Sequence, residues 1–142
     1  KEARARLRLA LEPVPRILGV RSSLLQVFVN LVSNAAQAMR PEGGVVSLHL
    51  ETRGEGVVAR VTDDGTGMSE DVKRRIFEPF FTTKQGGRGA GLGLSIVQDI
   101  VARHGGRVQV ESAPGAGTTF SVTLPAHGEP QPAAQGTSES TA

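Results

Sequence analysis

The sequence predicts an α+β domain, a two-layer α/β sandwich in which a mixed sheet is covered by helices on one face. Apolar residues recur at helical spacing in two long segments and alternate with polar residues in several short ones. The alternating segments come in adjacent pairs joined by turns, which favours hairpins within a mixed sheet. At 142 residues the chain is long enough for its own core. We expect one domain over residues 1–125 and a disordered tail over residues 126–142, where large apolar side chains are few.

Composition excludes several classes of function. Cysteine is absent, so disulfides and thiolate metal sites are excluded. The net charge is only +2 and neither Trp nor Tyr occurs, so we expect no nucleic-acid partner. No apolar run approaches the ~20 residues of a membrane helix, so we expect no membrane contact from this segment. Because the chain begins at Lys1, we expect a fragment of a longer cytoplasmic protein, either soluble or membrane-anchored.

The first third of the chain predicts a strand followed by a long helix. Arginine and apolar residues alternate over residues 4–11, which is typical of a strand with one solvated face, and residues 17–20 are a possible second short strand. Ser22 is a suitable N-cap for a helix over residues 23–39. Pro41 and the following glycines end that helix.

Three amide side chains are spaced four residues apart on this largely apolar helix. Gln26, Asn30 and Asn34 therefore form one stripe along it. A buried amide without partners costs about 1–3 kcal/mol, so the stripe needs an explanation. One explanation is a polar ligand, since an Asn carbonyl oxygen suits a divalent cation that also touches phosphates. The other is that these amides cap neighbouring loops or reach water.

A hairpin over residues 45–51 and 57–62 runs directly into Asp63-Asp64-Gly65-Thr66-Gly67. Asp and Gly are common in turns, so this segment is one ordinary way to end a strand. It could also form a pocket, in which Gly65 and Gly67 leave open space and the Asp63 carboxylate lies at the floor. Both interpretations remain open at this point.

A glycine-dense segment follows a short helix over residues 70–77. Its glycines leave room for another molecule, and apolar positions at helical spacing begin where they end. The start of a helix attracts phosphates through its free N–H groups and its dipole, and Lys84 and Arg88 add positive charge. A surface loop is the alternative. No Gly-x-x-x-x-Gly-Lys-Ser/Thr motif occurs, and the glycine spacing does not match the dinucleotide fingerprint.

The last regular elements form a second hairpin over residues 107–111 and 118–124. In its second strand Phe120, Val122 and Leu124 alternate with polar residues, so one face of that strand is expected to be buried. The helix before this hairpin ends near His104, where a cationic side chain is favoured by the helix dipole.

Four separated segments together resemble the N, G1, F and G2 boxes of the sensor histidine kinase ATP-binding domain of the Bergerat (GHKL) superfamily. In chain order they are residues 26–35 (QVFVNLVSNA), 63–67 (DDGTG), 77–84 (FEPFFTTK) and 89–94 (GAGLGL). The resemblance covers roughly residues 3–125 and implies the Bergerat ATP-binding fold. The third segment is most similar to kinases of the nitrogen-regulation type.

The resemblance implies a role for each matching residue. Asn34 would hold Mg²⁺ against the ATP phosphates with support from Asn30, and Asp63 would accept a hydrogen bond from the adenine amino group. Gly65 and Gly67 would leave room for the base. Residues 82–90 would form a lid with Lys84 on the terminal phosphate, and Asn30 and Lys84 would be the catalytic residues. The remaining nucleotide contacts implied are Phe77, Phe81, Thr82, Thr83, Arg88, Gly89, Gly91, Leu92, Gly93 and Leu94.

Within this superfamily, the residue at position 30 separates two chemistries. Hydrolysing members carry a glutamate there that activates water, whereas Asn cannot act as a general base. The resemblance therefore implies phosphoryl transfer to a nucleophile elsewhere, since none of His49, His104 and His127 lies in a phosphoacceptor motif. The implied partners are the protein's own upstream dimerisation and phosphoacceptor helices, in a homodimer, and a downstream response regulator. The alternatives are a GHKL ATPase or clamp and an anti-sigma-type serine kinase domain.

Overall fold

The computed structural model describes residues 5–11, 14–15, 19–54, 56–81, 93–126 and 130–131. The strands are β1 (Ala5–Leu11), β2 (Val14–Pro15), β3 (Gly44–Arg53), β4 (Gly56–Asp63), β5 (Arg107–Ser112), β6 (Thr118–Pro125) and β7 (Pro130–Gln131). The helices are α1 (Arg21–Gln37), α2 (Glu70–Arg75) and α3 (Gly93–Arg103).

Five strands form a mixed sheet in the order β1-β3-β4-β6-β5. Strand β1 is parallel to β3, and the other three pairs are antiparallel. A parallel neighbour needs a crossover connection, and α1 lies in the segment between β1 and β3. Both predicted hairpins and the mixed sheet are therefore confirmed.

The core lies between the helices and one face of this sheet. Helix α1 buries Val27, Leu31 and Ala35, which recur every fourth residue and so lie on one side of the helix. Strand β6 buries every second residue, as its alternation predicts. The same cluster includes Val97 and Val101 of α3, so both long helices pack on the same face of the sheet.

The opposite face of the sheet is polar. There the Glu51 carboxylate accepts hydrogen bonds from His49 Nε2 at 3.0 Å, Arg53 Nη2 at 3.1 Å and Arg60 Nη1 at 3.1 Å. These partners, with the His49 hydrogen bond foremost, lower the pKa of Glu51 below its ordinary value. Charged groups paired in this way suit a solvated face, which agrees with helices covering one face only.

The predicted start of α1 is wrong by two residues. The helix begins at Arg21 after Val20, which caps it without a side-chain hydrogen bond, so Ser22 is not the N-cap. Val20 is extended, its carbonyl accepts the Leu24 N–H at 3.0 Å, and its own N–H donates to His104 Nε2 at 3.0 Å. A contact from a distant segment therefore sets the boundary.

His104 does not have the cationic helix-end role expected of it. The Ile100 carbonyl oxygen lies 2.8 Å from Nδ1 and can only accept, so Nδ1 carries a proton. Nε2 accepts from the Val20 N–H, so it carries none. The geometry therefore requires a neutral ring, which ties the end of α3 to the start of α1.

The second short strand lies earlier than predicted. It is Val14–Pro15, antiparallel to Pro130–Gln131, while Gly19 and Val20 are not in a strand and residues 17–18 lie outside the described residues. Of the tail over residues 126–142, only residues 126, 130 and 131 are among the described residues. The predicted disorder of the tail therefore stays a prediction. No described helix is both long and apolar enough to cross a membrane.

Candidate functional site

Three segments meet along one side of α1. Asn30 Nδ2 donates to the Gly93 carbonyl at 3.2 Å, which joins the middle of α1 to the first residue of α3. The Thr66 N–H donates to the Ala38 carbonyl at 3.2 Å, which joins the turn after β4 to the end of α1. The structure therefore brings together the amide stripe of α1, the turn over residues 63–67 and the helix α3 that follows the glycine-dense segment.

Asn34 lies between these two contacts along α1. Asn30, Asn34 and Ala38 are four residues apart and therefore lie on successive turns of one helix side. Asn30 and Asn34 are half-buried, whereas Gln26, one turn earlier, is exposed. Because the Gly93 carbonyl can only accept, Asn30 donates through its NH₂ group there, and its carbonyl oxygen has no hydrogen bond to the residues that the structure describes. The stripe thus lies at the α3 edge of α1, not in the apolar core.

Asp63 is a buried acceptor at the end of β4, with only 5% of its surface exposed. Its Oδ1 accepts the Gly65 N–H at 2.8 Å, and the Thr118 N–H also donates to the carboxylate. Burial raises the pKa of Asp63 above its ordinary value, Asp64 adds to that shift, and the two hydrogen bonds oppose it. The carboxylate is therefore held in a defined orientation although its charge is costly there.

The turn after Asp63 is clamped under the hairpin between β5 and β6. The Gly115 N–H donates to the Thr66 carbonyl at 2.7 Å, and the Met68 N–H donates to Ser112 Oγ at 2.9 Å. Gly67 has φ +74°, and a Cβ there would overlap the Ala113 carbonyl oxygen.

A Cβ at Gly65 would likewise overlap the Ala38 carbonyl oxygen. Both glycines of the turn are thus required by packing against the protein itself. Their role of leaving room for a base stays a prediction.

Sequence analysis missed three polar residues that hold this turn. Arg40 Nη2 donates to the Gly65 carbonyl at 3.2 Å and to the Gly115 carbonyl at 3.1 Å. Asp64 Oδ1 accepts the Val45 N–H at 3.0 Å, and Ser112 Oγ donates to the Gly117 carbonyl at 2.8 Å. Asp64 lies within the segment 63–67, but its side chain was given no role there, and Arg40 and Ser112 belong to no recognisable motif. The two partners of Arg40 lie 25 and 75 residues away in sequence.

Several of the other residues predicted to contact the nucleotide pack against side chains of the protein itself. Phe77 packs edge to face on Phe120, with ring centroids 6.4 Å apart and an interplanar angle of 83°. The Arg75 guanidinium lies 4.5 Å from the centre of the Phe81 ring, and Leu94 is partly buried against the core. Their contacts with a nucleotide stay predictions. Predicted site residues that lie outside the described residues are Thr82, Thr83, Lys84, Arg88, Gly89, Gly91 and Leu92.

Residues 19–128 match the family model described as "Histidine kinase-, DNA gyrase B-, and HSP90-like ATPase". The chain belongs to this ATPase family. Family membership supports ATP as the ligand of the domain, and the matched range contains all four resembling segments.

The curated relatives that this domain matches include a sensor histidine kinase and a sporulation kinase. The chain is 44% identical over 114 residues to the sensor histidine kinase ZraS of Escherichia coli strain K12, covering 80% of this chain and 24% of that protein. It is 40% identical over 116 residues to sporulation kinase E of Bacillus subtilis, covering 81% and 15% respectively. The chain therefore spans a quarter or less of the length of these two relatives.

Solved structures agree with the fold. A mycobacterial sensor histidine kinase, MprB, matches with a TM-score of 0.77 at 28% identity, over 88% of this chain and 84% of that one. Full-length ShkA in complex with AMPPNP matches with a TM-score of 0.78 at 35% identity, over 90% and 27% respectively. The resemblance to the sensor histidine kinase ATP-binding domain and the predicted fold are confirmed. The nitrogen-regulation detail of residues 77–84 stays a prediction.

Proposed function

We propose that this domain binds ATP with Mg²⁺ and presents the γ-phosphoryl group to a histidine on a separate phosphoacceptor module of the same protein. The observation that carries the proposal is the position of Asn34. It lies one helical turn from the Asn30–Gly93 contact and one from the Ala38–Thr66 contact. The start of α3 and the turn that follows the buried Asp63 carboxylate are thereby joined to the helix that carries Asn34, and this supports the proposal.

Asp63 is suited to reading adenine. A buried ionised carboxylate only accepts hydrogen bonds, and the adenine amino group donates, whereas guanine presents an acceptor oxygen at the same position. A mismatched buried group costs about 1–3 kcal/mol, so we expect ATP to bind roughly tenfold or more tightly than GTP. The start of α3 at Gly93 favours phosphates, and Lys84 would contact the terminal one.

The donor set fits magnesium. Mg²⁺ prefers oxygen ligands and takes most of them from phosphates and water, so the single carbonyl oxygen of Asn34 is a sufficient protein ligand. When bound, the ion neutralises charge that develops on the phosphates during transfer. Asn30, held by Gly93, would support this arrangement from the preceding turn.

The chemistry favoured is transfer rather than hydrolysis. An amide cannot take a proton from water, and the NH₂ group of Asn30 is already engaged by Gly93. His49 is engaged by Glu51 on the open face of the sheet, and His104 by Val20 and Ile100. The acceptor histidine is therefore proposed to lie on upstream helices that also form a homodimer, in a cytoplasmic kinase that passes the phosphoryl group to a response regulator.

The test is γ-labelled ATP incubated with this domain alone and with the histidine-bearing module of the same protein. We expect the domain alone to bind ATP without labelling itself, and the mixture to give an acid-labile, base-stable phosphoramidate. Rapid phosphate release by the domain alone would favour the ATPase or clamp alternative. Acid-stable label on a serine of a partner would favour the anti-sigma-type kinase.

A further inference from the structure

One guanidinium joins three segments around the turn over residues 64–67, which follows Asp63. Arg40 follows α1, and its Nη2 donates to the carbonyls of Gly65, in the turn after β4, and of Gly115, in the hairpin between β5 and β6. Arg40 is half-buried, and its bond to the Gly65 carbonyl is partly shielded from water, whereas its bond to the Gly115 carbonyl is exposed. A charged donor makes stronger hydrogen bonds than a neutral one, so the guanidinium restrains both carbonyls.

Gly65 is hydrogen-bonded on one side to Asp63 and on the other to Arg40. Its N–H donates to Asp63 Oδ1 at 2.8 Å, and its carbonyl accepts from Arg40 at 3.2 Å. Gly65 has no side chain to fix its orientation and intrinsically wide conformational freedom, so backbone contacts must supply the restraint. A shift of Gly65 moves the N–H that orients the Asp63 carboxylate.

Arg40 is connected to Asp63 through the backbone of Gly65. The groups that move the pKa of Asp63 are its burial, the Gly65 and Thr118 N–H groups and Asp64, and Arg40 is not among them. Replacing the guanidinium should therefore change where the carboxylate points while its ionisation is little affected.

We propose that Arg40 is a positioning residue for base selection, setting the Gly65 turn and through it the orientation of Asp63 toward the adenine amino group. The proposal rests on the proposed function, in which Asp63 reads the base. It predicts that Arg40 controls the preference for ATP over GTP although it does not touch the nucleotide.

The experiment compares ATP and GTP affinities by calorimetry for the wild type, Arg40→Met and Arg40→Lys. Arg40→Met should weaken ATP binding about tenfold and bring the ratio of the ATP and GTP affinities close to one. A misdirected carboxylate would no longer accept the hydrogen bond from the adenine amino group. Arg40→Lys should recover part of the selectivity, since an ammonium group still donates to carbonyls. The control is Arg53→Met, whose 65%-exposed side chain binds Glu51 on the open face and which should leave both affinities unchanged.

A double-mutant cycle separates positioning from general stability. In an Asp63→Ala background, Arg40→Met should have no further effect on the ATP to GTP ratio. Equal weakening of both nucleotides by Arg40→Met, or wild-type selectivity in that variant, would overturn the proposal while leaving ATP binding intact. Failure of the wild type to bind ATP would instead overturn the proposed function. If Arg40→Met does not fold, Arg40→Gln, too short to bridge both carbonyls, carries the same expected loss of selectivity.

Discussion

Asn30 and Gly93 are 63 residues apart in sequence, and the side-chain amide of the first donates to the carbonyl of the second at 3.2 Å. This bond makes the amide stripe of α1 and the start of α3 parts of one structure. Any ligand that orders the start of α3 is thereby coupled to the position of Asn30, and through the helix to Asn34.

Replacing Asn30 by Ala should therefore affect both stability and nucleotide binding. Loss of one hydrogen bond costs about 1 kcal/mol, so we expect a similar decrease in the free energy of unfolding and roughly fivefold weaker ATP binding. Denaturant unfolding and calorimetry measure the two effects. Gln26→Ala is the matched control, because it removes an exposed amide one turn earlier on the same stripe. Equal behaviour of the two variants would show that the Gly93 contact has no influence.

Asn34→Ala should weaken ATP binding by about tenfold or more in Mg²⁺ and much less in a chelator, because the proposed role of the lost group is to bind the ion. Titrations of ATP with and without Mg²⁺ check this. Ser33→Ala, at an exposed position of the same helix, should bind like the wild type in both conditions. A loss of affinity that is the same with and without Mg²⁺ would contradict a cation role for Asn34.

Lys84→Met should weaken binding of ATP while AMP binds as before, because the proposed contact is with the terminal phosphate. We expect a decrease of about tenfold, typical of a charged hydrogen bond. Lys73→Met is the control, since Lys73 is paired with Glu70 on α2 at 2.8 Å. Unchanged ATP affinity in Lys84→Met, or parallel changes for ATP and AMP, would remove Lys84 from the phosphate site.

Asp63 predicts a pH dependence of stability. Its pKa is raised above the ordinary 3.8, chiefly by burial, so the folded state keeps the proton to higher pH than the unfolded chain does. The contribution of Asp63 to the free energy of unfolding is therefore at its full value below the ordinary pKa. It is lost as pH rises through the folded-state pKa. The free energy of unfolding of the wild type minus that of Asp63→Asn should therefore fall as pH rises above the ordinary pKa of 3.8. A difference that is flat or rises over this range would contradict the burial of the carboxylate.

Gly67→Ala and Gly115→Ala form a matched pair for the clamped turn. Both glycines have nearly the same φ, +74° and +78°, so both variants carry the left-handed strain of about 1–2 kcal/mol. A Cβ at Gly115 meets open space, whereas one at Gly67 overlaps the Ala113 carbonyl. Gly67→Ala should therefore be the more destabilised by several kcal/mol in denaturant unfolding, and similar losses would mean that the hairpin does not clamp the turn.

The elements of this fold are determined largely by sequence. In β6 the alternation of Phe120, Val122 and Leu124 with polar residues allows only one face to be buried, and the structure buries that face. The spacing of Val27, Leu31 and Ala35 similarly makes one side of α1 apolar and leaves the amides on another. Asp63, Asn30 and Asn34 could be nominated as site residues because their chemistry is unusual for where the pattern places them.

Only the tertiary structure decided how these residues are held. The residue before α1, Val20, donates its N–H to His104, 84 residues away, and the turn after Asp63 is held by Arg40. Periodicity reports which side of an element is apolar, because that is set by neighbours along the chain. A polar side chain is oriented by whichever donor or acceptor the fold brings beside it, and that partner has no fixed distance in sequence.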